Sequence, residues 1–356
     1  MNKKVHNFSA GPSILPDKVF EQASSAIKDF NNSGLSILEI SHRSKDFIEV
    51  LEEARFTALD IAELNKDEYT CLYLQGGASL QFLMTAYNFL NNNAAYINTG
   101  SWSTKAIKEA KMFGVVTEIA SSADKNFNYI PKDLSLNESY DYLHLTSNNT
   151  IFGTQFHSFP DVNCPLFADM SSDIFSRKIN FSKFDLIYAG AQKNLGPAGV
   201  TMVLIRKSLL KNISRQVPSM LSYKIHADKD SSFNTPPVFP IYCVLLNLRM
   251  IKNDGLDNIA SNNDIKSKLI YEEIDNNKCF SGFSHVDDRS QMNATFNLND
   301  GFNGELFNEI CKENNISGIN GHRSVGGYRA SIYNALPIDS VKLLIKCMKE
   351  FESNYN

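Results

Sequence analysis

A lysine that follows an apolar stretch is the residue of this chain best suited to covalent chemistry. Lys193 stands in Tyr188-Ala-Gly-Ala-Gln-Lys-Asn-Leu-Gly-Pro197, where small residues would let a flat ligand approach closely. Burial lowers the pKa of a lysine because it penalises the charged form, and a neutral amine can form a Schiff base with an aldehyde. The surroundings of Lys193 therefore favour Schiff-base chemistry over the ordinary alternative, a solvated surface lysine.

Three further features match what the aldehyde cofactor pyridoxal phosphate requires. The cofactor needs a carboxylate at its pyridine nitrogen, a group that stacks on its ring, and donors for its phosphate. Asp169 ends the apolar run Leu166-Phe-Ala, and the only tryptophan, Trp102, lies in a Thr-Gly-Ser-Trp-Ser loop. Gly76-Gly-Ala-Ser79 stands between a strand and a helix start, where backbone N–H groups can bind an anion.

Each of these features also has an ordinary structural explanation when it is considered alone. Asp169 would serve as a helix cap before Ser171-Ser172, Gly-Gly turns are common, and a lone tryptophan is usually a core residue. The combination of a lysine, a carboxylate, a stacking group and an anion site is what indicates a cofactor.

Two arginines indicate the kind of substrate. Arg323 and Arg329 lie on either side of a Gly326-Gly327 turn. A guanidinium matches both carboxylate and phosphate in a bidentate geometry, so the pair could hold opposite ends of one small anion such as a phosphorylated oxo acid. Taken singly, each arginine is better explained by a surface ion pair.

The elements that must position these residues alternate between short apolar runs and amphipathic stretches. Strands are predicted at 69–74, 94–98, 115–119, 142–146, 165–169, 184–189 and 200–205, and helices at 46–63, 79–90 and 104–113. This alternation indicates a mostly parallel sheet covered on both faces, with ligands at the carboxyl ends of the strands. Four runs end there in small or polar residues, at Gly76-Gly77, Thr99-Gly100, Asp169 and Gly190.

The pattern changes near residue 255. Residues 1–255 are predicted to form a large cofactor-binding domain, with an N-terminal substrate segment at 1–15, and residues 256–356 a smaller α+β domain. The polar stretch from Asp257 to Asp264 is interpreted as linker-like. Strands at 291–298 and 328–333 and helices at 304–312 and 338–351 are expected after it.

Composition restricts the compartment and the partners. The formal net charge is −4, so no basic field attracts nucleic acid, and no apolar run reaches the length of a membrane span. The six cysteines have neither CxxC nor zinc-ligand spacing. We therefore expect reduced thiols, a cytoplasmic location, no metal, and no nucleic-acid or membrane partner.

Several motifs, in order along the chain, resemble the phosphoserine aminotransferase family, in the class-V branch of the pyridoxal-phosphate enzymes. They are Ser9-Ala-Gly-Pro12, His42-Arg-Ser44, Gln75-Gly-Gly-Ala-Ser-Leu-Gln-Phe82, Asp169-Met-Ser-Ser172, Gln192-Lys-Asn194 and Gly321-His-Arg-Ser-Val-Gly-Gly-Tyr-Arg-Ala-Ser-Ile-Tyr-Asn334. The resemblance implies a fold-type I α/β transferase, with a mainly parallel, seven-stranded type of sheet and a smaller α+β C-terminal domain.

The resemblance also implies site residues. Lys193 would be catalytic, and the cofactor would be bound by Ala78, Ser79, Trp102, Thr150, Asp169, Gln192, Lys193, Asn234 and Thr235. The substrate would be bound by Ser9, Arg43, His322, Arg323 and Arg329. Within this last set, His322 and Arg323 would hold the substrate phosphate and Arg329 its α-carboxylate. Asn234 and Thr235 would reach the cofactor phosphate of a partner subunit, which implies a homodimer with shared active sites.

The implied reaction is ping-pong transamination between glutamate and 3-phosphohydroxypyruvate, giving O-phospho-L-serine and 2-oxoglutarate for serine biosynthesis. Whether 4-phosphohydroxy-L-threonine of vitamin B6 synthesis is also a substrate stays open. So does the residue that replaces an arginine found in some family members at the position of Ser79. The competing interpretations are a same-fold lyase, such as a cysteine desulfurase using Cys279, Cys311 or Cys347, and a non-catalytic cofactor-binding protein.

Overall fold

The computed structural model describes residues 4–134, 136 and 138–355. Its helices are α1 (Asp17–Lys28), α2 (Lys45–Ile61), α3 (Gly77–Phe89), α4 (Ser101–Ala110), α5 (Lys207–Leu210), α6 (Tyr223–Asp228), α7 (Val238–Asp254), α8 (Leu256–Asn276), α9 (Gly304–Glu313) and α10 (Ile338–Ser353). Its strands are β1 (His6–Asn7), β2 (Tyr69–Leu74), β3 (Asn93–Asn98), β4 (Val115–Ser121), β5 (Leu143–Thr146), β6 (Asn148–Asn149), β7 (Thr154–Gln155), β8 (Leu166–Asp169), β9 (Leu186–Gly190), β10 (Thr201–Arg206), β11 (Phe280–Gly282), β12 (Asn293–Leu298), β13 (Ile316–Ser317) and β14 (Tyr328–Ser331). Residues 1–3 of the predicted N-terminal segment and residue 356 lie outside the described residues.

A seven-stranded sheet forms the centre of the molecule, in the order β2-β10-β9-β8-β5-β3-β4. Strand β10 runs antiparallel to both of its neighbours, β2 and β9, and every other neighbouring pair is parallel. The predicted α/β class with a mainly parallel seven-stranded sheet is therefore confirmed. Each strand predicted between residues 69 and 206 is present, with bounds that differ by one or two residues.

Except at the edge strand β4, the sheet is buried on both faces, which explains why its strands are nearly continuous apolar runs. Alternate residues of β2 point to opposite sides: Cys71 and Tyr73 pack with α2 and α7, whereas Leu72 and Leu74 pack with α3 and α4. Parallel strands need such crossover helices on their faces, and a strand covered on both sides gains from apolar residues at every position.

The register of the parallel strands brings the chemically important residues to one edge. Asp169, the last residue of β8, lies opposite Thr146 of β5 and Tyr188 of β9. Strand β9 continues two residues beyond Tyr188 to Gly190, and Lys193 follows in the turn. Asp169 and Lys193 therefore leave neighbouring parallel strands at their carboxyl ends.

The C-terminal part has a core of its own. Strands β11, β12 and β14 form an antiparallel sheet, and an aromatic cluster that includes Phe280, Phe296, Phe307 and Phe351 joins it to α8, α9 and α10. The N-terminal Phe8 is fully buried in this same core, and β1 pairs in parallel with β13. The division into domains 1–255 and 256–356 stays a prediction, and residues 6–8 pack with the C-terminal core.

The expected linker at residues 257–264 is wrong, since these residues belong to the 21-residue helix α8. The sequence is misleading because the buried face of α8 contains polar side chains as well as Ile259 and Ile270. Lys266 donates to the backbone carbonyls of residues 332, 333 and 336, and Asn263 donates to the carbonyl of Ser176. Buried polar groups are stabilised by such hydrogen bonds, so the polar pattern conceals a packed helix.

None of the described helices combines the length and the apolar character needed to cross a membrane.

Candidate active site

A cavity of about 330 Å³ opens at the carboxyl edge of the central sheet. Its walls come from the ends of β5, β8 and β9, the start of α3, α4, and the loop that precedes β14. It is lined by nine residues that were predicted from the sequence: Ala78, Ser79, Trp102, Thr150, Asp169, Gln192, Lys193, His322 and Arg329. The fold thus gathers residues from positions 78 to 329 around one space.

Five predicted site residues do not line this cavity, and their roles stay predictions. Ser9 directly precedes the cavity-lining Ala10, and Arg323 is an exposed neighbour of His322. Asn234 donates from Nδ2 to Oε1 of Gln75 at 3.2 Å. Arg43 and Thr235 are exposed.

Lys193 is held by its backbone, which leaves its side chain free to enter the cavity. The backbone N–H groups of Leu195 and Gly196 both donate to the carbonyl of Ala191, which closes the turn after β9. From the N-terminal segment, Ser13 donates to the carbonyl of Lys193 at 2.7 Å. The Lys193 Nζ then lies 5.9 Å from the ring centroid of Trp102.

The surroundings of Lys193 favour the neutral form of its amine over the charged form. Burial lowers the pKa of Lys193 to about 8, and the nearby positive charge of Arg329 acts in the same direction, although Asp169 and Asp173 partly oppose the shift. At pH 7 about a tenth of the amine is therefore neutral, far more than for an ordinary lysine, and the neutral amine is the form that attacks a carbonyl.

Asp169 is a buried carboxylate, only 5% exposed, that lines the cavity. Burial raises the pKa of Asp169, whereas hydrogen bonds from Ser171 and the charge of Lys193 lower it. Among the described residues, its side-chain hydrogen bonds go to Oδ1, from the N–H and the hydroxyl of Ser171. A carboxylate in this position can pair with a cationic ring nitrogen.

The first turn of α3 faces the cavity with Gly77, Ala78 and Ser79. Gly76 is the N-cap, with φ of +91°, and its carbonyl accepts from the N–H of Leu80. The N–H groups before Leu80 have no partner within the helix, so together with the helix dipole they form an anion site. The helix predicted at 79–90 begins two residues earlier than expected, because Gly76 adopts the left-handed conformation and is its N-cap.

Trp102, Thr150 and Arg329 form one connected wall. Trp102 Nε1 donates to Thr150 Oγ1 at 3.2 Å, and Nη1 of Arg329 donates to the backbone carbonyl of Thr150 at 3.1 Å. Arg329 Nε and Thr146 Oγ1 are buried without a hydrogen-bond partner in the described chain. Since buried polar groups nearly always have partners, these two atoms indicate that a polar ligand belongs in this cavity.

The arrangement fits pyridoxal phosphate on the chemistry of its donors. The amine of Lys193 suits the aldehyde, Asp169 the pyridine nitrogen, the start of α3 the phosphate, and Trp102 a ring face. Among the described residues, no group of three or more His, Cys, Asp or Glu could hold a metal ion.

Several cavity residues were missed by the sequence analysis. They are Ala10, Gly11, Phe82, Thr146, Asn148, Ile151, Ser171 and Ser172. Thr146 could have been found, because it ends strand β5 as Asp169 ends β8. Asn148 lies in the two-residue strand β6 and Ile151 in the turn after it, and these segments are too short for a sequence period to indicate which side chain points inward.

A family model described as Aminotransferase class-V matches residues 5–344. This chain belongs to the class-V aminotransferase family. The class-V aminotransferase is 56% identical over 353 residues to the phosphoserine aminotransferase of Flavobacterium psychrophilum, covering 98% of this chain and 99% of that protein. The predicted family resemblance is thereby confirmed.

Solved structures support the fold of this class-V aminotransferase over its whole length. A phosphoserine aminotransferase studied for radiation damage of its Schiff base is 47% identical, with a TM-score of 0.95 and coverage of 99% of both chains. The phosphoserine aminotransferase of Bacillus circulans subsp. alkalophilus is 43% identical, also with a TM-score of 0.95 and 99% coverage of both chains.

Proposed function

We propose that this class-V aminotransferase transfers an amino group between glutamate and 3-phosphohydroxypyruvate, with pyridoxal phosphate as its cofactor. The products are 2-oxoglutarate and O-phospho-L-serine, and the reaction supplies serine biosynthesis in the cytoplasm. The observation that carries this proposal is one cavity that combines Lys193, whose pKa is about 8, with Asp169 and Arg329. The near-complete overlap with relatives of this activity supports the choice of substrates.

Pyridoxal phosphate, when bound, supplies an electron-accepting ring that stabilises negative charge at the substrate Cα. The protein provides the rest. Lys193 Nζ would take the proton from the substrate Cα as a base and would then deliver it to the C4′ carbon of the cofactor as an acid. Asp169 would pair with the ring nitrogen, the N–H groups at the start of α3 would hold the phosphate, and Trp102 would pack against the ring. Gln192 lies beside Lys193 in the cavity wall.

The substrate ends are assigned to different cations. Arg329 is partly buried inside the cavity and suits the α-carboxylate, which every amino-acid substrate shares. His322 and the exposed Arg323 suit the phosphate nearer the entrance. The positive charges of Arg329, Arg323 and Lys105 help burial to lower the pKa of His322, which indicates a concentration of positive charge there. Some family members carry an arginine at the position of Ser79. Lys105, whose Nζ lies 4.4 Å from the Trp102 ring centroid, is our candidate for the residue that supplies this positive charge here.

A direct assay tests this function. The holoenzyme is mixed with O-phospho-L-serine and 2-oxoglutarate, and glutamate is measured, with L-serine in place of phosphoserine as the matched control. We expect turnover with phosphoserine and far slower turnover with serine, because serine lacks the phosphate. Equal rates for the two substrates would contradict the proposal. The phosphorylated threonine analogue can be measured in the same way.

The lyase alternative is not favoured. A desulfurase needs an accessible cysteine thiolate, but Cys279, Cys311 and Cys347 are buried in the C-terminal core. Burial raises the pKa of all three thiols, that of Cys311 to about 12 and that of Cys347 to about 11. These groups are therefore poor nucleophiles.

The pKa of Lys193 predicts the pH dependence of cofactor attachment. Because only the neutral amine reacts, the rate at which the apoprotein binds pyridoxal phosphate covalently should rise with pH, reach half of its maximum near pH 8, and level off about one to two pH units above that. An ordinary lysine would keep gaining reactivity to about pH 10.4. The rate is followed by absorbance between pH 6.5 and 9.5, and Nα-acetyllysine with free cofactor provides the reference profile. Arg329→Gln should move the profile to higher pH, since it removes a charge that lowers the pKa; an unchanged profile would contradict this electrostatic assignment.

We also propose that the active protein is a homodimer with shared sites. Asn234 and Thr235 lie in the loop between α6 and α7 and do not line the cavity of their own chain. This placement supports the interpretation that they complete the site of a partner. Large apolar side chains are also exposed on α1, α2 and the connection between them, including Phe20, Leu38 and Phe56, and are suited to an interface between copies.

Complementation between two inactive variants tests the shared site. A Lys193→Ala chain and an Asn234→Ala/Thr235→Ala chain should each be nearly inactive, because each lacks one contribution. In a hybrid dimer, one of the two sites receives both native contributions. Each hybrid dimer should therefore show up to about half of the activity of a native dimer. Co-expression with different affinity tags isolates the hybrid. Full activity in a strictly monomeric preparation would contradict the proposal.

A further inference from the structure

Ser171 connects the two residues on which the chemistry most depends. Its hydroxyl donates to Asp169 Oδ1 at 2.6 Å, and its backbone N–H donates to the same oxygen at 2.9 Å. The same hydroxyl accepts from the N–H of Gly190 at 3.1 Å. Gly190 is the last residue of β9, three residues before Lys193.

These contacts determine which carboxylate oxygen is available to a ligand. Both hydrogen bonds from Ser171 go to Oδ1, and among the described residues no side-chain hydrogen bond is formed by Oδ2. A carboxylate fixed through one oxygen cannot rotate freely about its terminal bond. Because the Ser171 hydroxyl is itself oriented by the Gly190 N–H, it must direct its hydrogen toward Asp169.

The contacts also act on the charge of Asp169. Burial raises the pKa of this carboxyl, and the hydrogen bonds from Ser171 are the first of the influences that lower it again. Hydrogen bonds to a charged group are stronger than those between neutral groups. Without the Ser171 hydroxyl, the pKa of Asp169 would be higher. A proton shared between Asp169 and a basic ligand nitrogen would then lie more often on Asp169.

We propose that Ser171 is a positioning residue whose hydroxyl fixes Asp169 Oδ1, leaves Oδ2 for the pyridine nitrogen of pyridoxal phosphate, and ties this carboxylate to the strand that presents Lys193. The inference deepens the proposed function and depends on its choice of cofactor, but not on its choice of amino-acid substrate.

The adjacent serine provides a matched control. Ser172 also lines the cavity and is as deeply buried, with 2% exposure against 6% for Ser171. Its hydroxyl donates to the carbonyl of Asn148 at 2.9 Å and accepts from Asn148 Nδ2 at 2.8 Å. Ser172→Ala therefore removes a buried hydroxyl from the same turn without touching Asp169.

The test uses holoenzyme prepared with pyridoxal phosphate labelled with ¹⁵N in its ring, without any amino-acid substrate. The ring ¹⁵N chemical shift reports how much of the proton lies on the nitrogen, and equilibrium dialysis gives the dissociation constant of the cofactor. In Ser171→Ala we expect the shift to move toward that of unprotonated pyridine and the dissociation constant to rise roughly tenfold or more, as for the loss of one hydrogen bond to a charged group. Ser171→Thr, which keeps the hydroxyl, should resemble the native protein, and Ser172→Ala should keep the native ring shift.

Two results would overturn the inference. One is a native ring shift in Ser171→Ala, and the other is an equal change in Ser172→Ala, which would make the effect a general consequence of disturbing this turn. If Ser171→Ala is too unstable to purify, the isosteric pair Ser171→Thr and Ser171→Val gives the same comparison. Failure of the phosphoserine assay would leave this readout interpretable, because no substrate takes part in it.

Discussion

Replacing Lys193 with alanine should abolish nearly all amino transfer while the protein remains folded. The variant loses both the covalent attachment of the cofactor and the group that moves the proton at the substrate Cα. Proton transfer by a positioned side chain alone contributes about 10²- to 10⁴-fold to a rate. We therefore expect turnover to fall by roughly 10⁴-fold or more, and borohydride treatment should no longer fix the cofactor to the protein.

The measurement combines the phosphoserine assay with mass spectrometry after borohydride reduction. Lys178→Ala is the control, because Lys178 is an exposed lysine whose Nζ pairs with Glu63 at 2.6 Å, away from the cavity. Circular dichroism should show native helix content in both variants. A small primary amine such as methylamine should restore part of the lost activity in Lys193→Ala. A reducible cofactor linkage that persists in Lys193→Ala would assign the attachment to another lysine.

Loss of Arg329 should impair both halves of the reaction, whereas loss of Arg323 should impair mainly the phosphorylated substrate. Arg329 lies inside the cavity, and burial lowers the pKa of its guanidinium, so a ligand carboxylate gains strongly by pairing with it. Removing one partner of such a buried charge pair costs roughly 2–5 kcal/mol, or about 30- to 5,000-fold in kcat/KM. Arg323 is exposed, and we expect a smaller loss there that is concentrated on phosphoserine.

Each half-reaction is measured separately, by following the cofactor spectrum after mixing with phosphoserine or with glutamate. For Arg329→Gln, the losses with the two substrates should agree within a few-fold, because both contain the same α-carboxylate. For Arg323→Gln, phosphoserine should lose more than glutamate, because a phosphate carries more charge than a side-chain carboxylate. Equal losses in Arg323→Gln would mean that this arginine contacts a group common to both substrates.

Most strands of the central sheet were predictable because they are buried on both faces. Runs such as Tyr69–Leu74 are apolar except for Thr70, and their short length and their position between helical stretches favour a buried strand. Asp169 and Lys193 were predictable for the same reason, since polar or charged residues at the ends of such runs point to the ligand-binding edge.

The remaining features depend on contacts that the linear pattern does not contain. Helix α3 begins at Gly77 and not at the predicted residue 79, because Gly76 adopts a left-handed conformation. Either glycine of the Gly-Gly pair can adopt this conformation, so the sequence does not show where the helix begins. The polar face of α8 is stabilised by carbonyls from residues 332 to 336, which are distant in the sequence. The same applies to Ser171, whose importance depends on its hydrogen bond with Gly190 of the neighbouring strand.

The N-terminal segment is anchored at both of its ends, and this links parts of the protein that are remote in the sequence. At residues 6 and 7 it is a strand of the C-terminal unit, paired with Ile316 and Ser317. At Ser13 the segment donates a hydrogen bond to the backbone carbonyl of Lys193. Between these two points, the backbone carbonyl of Ala10 accepts a hydrogen bond from the Tyr333 hydroxyl at 2.7 Å. Local unfolding around β13 would therefore free the N-terminal segment, which supports the turn that contains Lys193. We therefore expect a substitution in β13 that weakens its pairing with β1 to weaken the binding of pyridoxal phosphate as well, although β13 lies far from the cavity.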